Sequence, residues 1–156
     1  MCLYGFYLLI ADIVPKNLLS YKLIDHATDA FIEVTASDLS EAFLTAANAV
    51  IETTLDRKKV EEKEEMVIKV AGKDLCYLLF NWLEAVIYQL ITEGFAIKKI
   101  NLNLKKNDEY EILATSYGEP IDLKKHDFKV EIKAPTFHEM KISEDGQVKM
   151  KFLLDL

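Results

Sequence analysis

Ala30-Phe31-Ile32-Glu33-Val34-Thr35-Ala36-Ser37-Asp38-Leu39-Ser40-Glu41-Ala42-Phe43 is the stretch whose reading decides the fold. Its first half places apolar groups at Ala30, Ile32, Val34 and Ala36, with Glu33 and Thr35 between, the period of a half-buried strand. Then the period changes. Asp38 with Glu41 three residues later is a variant of the capping box that starts a helix. Leu39, Phe43, Ala46, Ala47 and Val50 recur at helical spacing, which predicts a helix to about Leu55 with its apolar stripe laid on a sheet.

Working outward, residues 56–65 are almost all charged and are expected to form a solvated connection. Strand character resumes over residues 66–71, and Gly72 turns the chain. Asp74 is a good N-cap for a second helix in which Leu75, Leu78, Leu79, Trp82, Leu83, Val86 and Leu90 line one face, with Gly94 placed to end it. Trp82 on that face is expected in the core rather than stacked on a ligand. Beyond Gly94 no helical period returns. Residues 95–104, 110–117, 128–134, 137–142 and 148–154 read as strands, and Glu144-Asp145-Gly146 is a hairpin signal. The predicted class is α+β: a single domain, mostly antiparallel sheet, with two helices packed on a face.

With 156 residues, 51% of them hydrophobic, the chain is about one domain long and has the material for a substantial core. Its formal charge of −7 and pI of about 5.0 are the wrong sign for strong independent binding to an RNA backbone. Cys2 and Cys76 make no metal-spaced or redox pair, so a reduced intracellular setting is expected, with Cys76 a buried small hydrophobe. Residues 1–20 form an apolar N-terminal extension to a domain spanning 21–156. The extension is broken by Asp12, is shorter than the roughly 20 residues of a membrane span, and has no basic residue before Lys16 to open a signal peptide. A cytoplasmic location is therefore expected.

The chemistry points to the two ends. Asp155 lies beside the C-terminal Leu156, so an anchored last strand delivers a side-chain carboxylate and the terminal α-carboxylate to one place, and Asp29 could supply a third. Clustered carboxylates repel one another unless a cation neutralises them, and hard oxygen ligands suit Ca²⁺ or Mg²⁺. Other chemistries find less support. His26, His126 and His138 include no pair at zinc-motif spacing. The 5 glycines form no phosphate loop, and no nucleophile signature is present. A non-enzymatic role is expected.

Asp25-His26-Ala27-Thr28-Asp29, Leu39-Ser40-Glu41-Ala42-Phe43, Gly118-Glu119-Pro120-Ile121-Asp122 with Lys125-His126, Val130-Glu131-Ile132-Lys133-Ala134 with Thr136-Phe137-His138, and the closing Leu154-Asp155-Leu156 together resemble the archease family in order and spacing. The resemblance runs from about Tyr21 to the last residue. The family's usual H-T-A-D reads His-Ala-Thr-Asp here, and Phe31 stands where a glycine is common, while the aspartate keeps its place. The resemblance implies an SHS2-type fold and a non-catalytic activator of the RtcB-type tRNA-splicing ligase, one that promotes guanylylation and multiple turnover of the ligase and touches RNA only indirectly. It also implies calcium binding, with Asp29, Asp155 and the carboxylate of Leu156 as the metal site. His26 and His138 then become candidate supports for the ligands. Lys125 and Lys133 become candidates to steer a phosphate or hold a partner's carboxylate, or else plain exposed strand lysines. The alternatives are a metal-dependent enzyme or small-ligand receptor built on the same aspartates, and a chaperone-like partner of a tRNA methyltransferase.

Overall fold

The computed structural model describes residues 20–24 and 29–156. The N-terminal extension up to residue 19, and His26, lie outside the described residues. The elements run β1 (Ser20–Ile24), β2 (Asp29–Ala36), α1 (Leu39–Thr54), a 3₁₀ turn (Arg57–Lys59), β3 (Glu64–Gly72), α2 (Leu75–Ile87) continued by a π-helical turn (Tyr88–Thr92), β4 (Phe95–Lys106), β5 (Tyr110–Pro120), β6 (Ala134–Ser143) and β7 (Val148–Asp155). Among the described residues they build two antiparallel sheets, ordered β1-β2-β7-β6 and β3-β5-β4, with two α-helices packed against them.

Both helices start where the sequence says. The Asp38 side chain accepts from Glu41 N at 2.9 Å and that of Asp74 from Tyr77 N at 2.9 Å, each satisfying a first-turn amide that has no partner within its helix. The stripe of α1 is buried from Ala42 and Phe43 through Val50 and Ile51. The 18-residue stretch Leu75–Thr92 is apolar enough, by length and composition, to cross a membrane. In this fold its apolar face, with Leu78, Leu79, Trp82, Leu83 and Val86, is spent on the core shared by the two sheets. Trp82 is fully buried and its Nε1 donates to Phe43 O at 2.9 Å, which ties α2 to α1 while satisfying the indole. Gly94, at φ 63°, follows the π turn and lets the chain reverse into β4.

Two local departures from the sequence reading have physical causes. Residues 128–133 alternate like a strand, and Ile132 is indeed buried, yet they form none. Their backbone bonds go elsewhere: Lys129 N donates to Thr54 O at the end of α1 (2.7 Å) and Lys133 N to Asp155 O (2.8 Å). Ile132 packs inward, but among the described residues no strand pairs along this segment, so periodicity alone misnames it. Cys76 is half-buried rather than buried, because it sits in the first turn of α2, before the helix turns its stripe fully inward.

Candidate functional site

β2 and β7 are the two inner strands of the four-stranded sheet, and their register sets Asp29 directly opposite Asp155. Directly opposed residues of an antiparallel pair share one face, with Cβ atoms about 4.5–5.5 Å apart. The register is pinned from inside. Ile32 lies against Phe152 and Val34 against Met150, all buried, so a slip of one residue would turn this row to solvent. The two acidic side chains are thereby delivered to the same end of the sheet, Asp29 half-buried and Asp155 exposed, with Leu156 one residue beyond. On the other flank, β6 opens with Ala134 opposite Asp155, and Lys133 N holds the Asp155 carbonyl.

These donors fit a hard cation in kind. Two carboxylates facing each other cost stability unless something neutralises them. Among the described residues no three His, Cys, Asp or Glu side chains gather as a metal-binding group. His138 is exposed on an irregular part of β6. There Thr136 pairs with Leu153 and Lys141 with Lys151, so residues 137–140 stand against Phe152 alone. Its amide donates to Thr136 Oγ1 at 3.1 Å, and Glu139 beside it takes φ 58°.

The sequence reading missed a second charged cluster, although it quoted the residues. Glu119, only 4% exposed near the end of β5, gathers donors on both oxygens. Oε1 accepts from Lys125 Nζ (2.7 Å), His126 Nε2 (2.8 Å) and Glu61 N (3.2 Å), and Oε2 lies 3.1 Å from Lys63 Nζ. Lys125 Nζ also reaches Glu61 Oε2 at 2.7 Å. His126 is fully buried, and its Nδ1 accepts the Asp122 amide at 3.0 Å. The imidazole is thus a neutral tautomer that donates from Nε2. Hydrogen bonds from Lys125 and then His126 hold the Glu119 carboxyl far below the usual carboxylate range. Those to Glu119 and Glu61 raise Lys125.

Local sequence explains how the cluster assembles. Gly118 precedes Glu119 at a point where a Cβ would lie 1.8 Å from Ala96 O, so only glycine lets β4 and β5 approach there. The Asp122 carboxylate accepts the amides of Lys124 and Lys125 (3.1 and 2.9 Å), folding a turn that returns Lys125 and His126 to Glu119. Lys125 is therefore occupied by its own chain's carboxylates, while Lys133 is exposed. The signal available beforehand was the spacing Glu119…Lys125-His126. The charged run before β3 is solvated for the most part, yet it supplies Glu61 and Lys63 to this cluster.

The geometry agrees with what the chain is similar to. The sequence model of the archease protein family (MTH1598/TM1083) matches residues 21–156. Protein archease of Pyrobaculum islandicum is 40% identical over 139 residues, 87% of this chain and 95% of that protein. The same-named protein of Methanopyrus kandleri is 33% identical over 138 residues, 87% of this chain and 99% of its own. The solution structure of Methanobacterium thermoautotrophicum protein 1598 superposes with a TM-score of 0.72 at 33% identity, covering 87% of this chain and 98% of that one. This chain belongs to the archease family.

Proposed function

We propose that this protein is a non-catalytic activator of an RtcB-type tRNA-splicing ligase and that it holds Ca²⁺ between Asp29, Asp155 and the carboxylate of Leu156. The observation that carries the reading is the register of β2 on β7, which sets Asp29 opposite Asp155 one residue from the chain end. Ca²⁺ takes about 6–8 oxygens, more than these groups offer, so water or a partner completes its shell. The ion's contribution is charge: it adds two positive charges at this end of the sheet, with which it can meet another acidic or phosphate group. A formal charge of −7 opposes direct binding to an RNA backbone and favours action through a protein partner. The cation-balanced Glu119 cluster holds the segment that leads to Lys133 and so fixes the flank of Asp155.

The test is multiple-turnover ligation of a broken RNA by the ligase with GTP and Ca²⁺, with and without this protein. The expected result is stimulation by the wild type and none by Asp29→Ala, with circular dichroism unchanged. Ligation that is indifferent to the protein, or stimulated equally by the variant, would overturn the reading. Tight, salt-sensitive binding of RNA by the isolated protein would count against it as well.

A further inference from the structure

β3 is the outer strand of the three-stranded sheet, paired on one side with β5 and, among the described residues, with no strand on the other. Along that open edge runs a groove of about 620 Å³, with β3 as one wall and α2 with its π turn as the other. Asn81, Ala85 and Tyr88 line the helical wall at i, i+4 and i+7, and Glu84 and Glu93 are exposed at its rim. Tyr88 is 53% exposed and Val67, across the groove, 67%. The π turn, marked by Glu93 N donating to Tyr88 O at 3.0 Å, sits in this wall, and such turns recur at functional sites.

The backbone of β3 is available there. Asn81 Nδ2 donates to Ala71 O at 2.7 Å from the helix side, so Ala71 turns its backbone groups away from β5. Alternate residues of an antiparallel strand turn their N–H and C=O to alternate sides, so Lys69 and Val67 turn theirs the same way. An edge strand facing a helix across a groove is the geometry that accepts an extended peptide as an added strand. The charges select the occupant. Glu84 and Glu93 outnumber Lys69 in the groove, and β3 begins with the exposed Glu64 and Glu65. A second copy of this chain, at net −7, would bring more negative charge to an acidic rim.

We propose that this groove binds an extended segment of another protein, rich in Lys or Arg and alternating with apolar residues, as a fourth strand on β3. Its main chain pairs with Val67 and Lys69, its apolar side chains pack against Ala85 and Tyr88, and its basic side chains meet Glu84 and Glu93. The site belongs to the sheet that does not carry Asp29 and Asp155, and it does not depend on a metal there.

The test uses the full chain, ¹⁵N-labelled, with three short fluorescein-labelled peptides: alternating valine and lysine, the same with alternate amides N-methylated, and the same with glutamate for lysine. The expected result is binding of the first, with amide shifts at Val67, Lys69 and Tyr88. The other two should bind roughly tenfold more weakly or worse, through lost main-chain hydrogen bonds and lost charge pairing respectively. Glu84→Lys with Glu93→Lys, both exposed, should reverse the preference between the lysine and glutamate peptides. Absence of shifts along β3, equal binding of the N-methylated peptide, or an unreversed preference would overturn the proposal. So would light scattering that shows a dimer with protected β3 amides, or binding seen only after removal of residues 1–19, since another occupant would then hold the groove.

Discussion

The two charged clusters of this protein are built from the same carboxylate chemistry and reach opposite solutions. Around Glu119 the chain supplies its own cations, Lys125 and Lys63, together with the Nε2 proton of a buried histidine, and encloses the carboxylate almost completely. At the end of β2 and β7 it sets Asp29 against Asp155, one residue before Leu156. The first cluster satisfies itself and makes a fixed corner for the segment that follows β5. The second sets two carboxylates on one face of the sheet, where we propose that an outside cation binds. Charge balanced within the chain fits a structural corner, and carboxylates held face to face by register fit the cation site we propose.

The largest expected effect comes from breaking the balanced cluster. His126→Ala takes the partner from the half-buried Asp122 amide, at about 1–3 kcal/mol, removes one of the three donors on Glu119 Oε1 and adds the cost of the cavity left by a fully buried ring. A melting temperature roughly 5–10 °C below wild type is expected. A variant that melts with the wild type would show that the cluster is ornamental.

The facing pair should answer to Ca²⁺ instead. Without Ca²⁺, Asp29→Asn removes one of two facing carboxylates and should change stability by no more than about 1 kcal/mol. With Ca²⁺ at a hundred times its Kd the wild type should gain about 2.7 kcal/mol and the variant almost none. Thermal melts of both proteins with Ca²⁺ and with chelator read this difference directly. Equal Ca²⁺-dependent shifts would remove Asp29 from the site.

pH separates the clusters more gently. The folded-state pKa of Glu119 is held below its ordinary 4.5, chiefly by Lys125 and then His126. In acid the unfolded chain therefore binds this proton first. The stabilisation is complete above pH 4.5 and is lost as pH falls towards the lowered folded value. Glu119→Gln should be less stable than wild type at neutral pH, with the gap closing in acid. A gap that is constant with pH would mean the ionised form is not the one the cluster favours.

The smallest change tests the chain end. A short tag after Leu156 converts its carboxylate to a peptide carbonyl, while an equal tag at the N-terminus leaves it intact. The C-terminally tagged form should lose part of the Ca²⁺-dependent stabilisation and the N-terminally tagged form should keep it. Equal shifts would leave Asp29 and Asp155 with a different third ligand.

Much of this architecture was legible from the residues themselves, because its causes are local. Asp38 and Asp74 cap amides three residues away, and the apolar stripes of α1 and α2 follow the helical period. The acidic character of the chain, the candidate pair at its ends and the family resemblance were also open to reading. Other features depend on which distant segments become neighbours. The division into two sheets, the register that faces Asp29 with Asp155, the refusal of residues 128–133 to form a strand and the closure of Lys63, Lys125 and His126 around Glu119 are of that kind. A helix start or a strand face is settled by contacts within a few residues. A strand partner or a buried ion cluster is settled by the burial that registers whole elements against one another, and only the tertiary structure decides that.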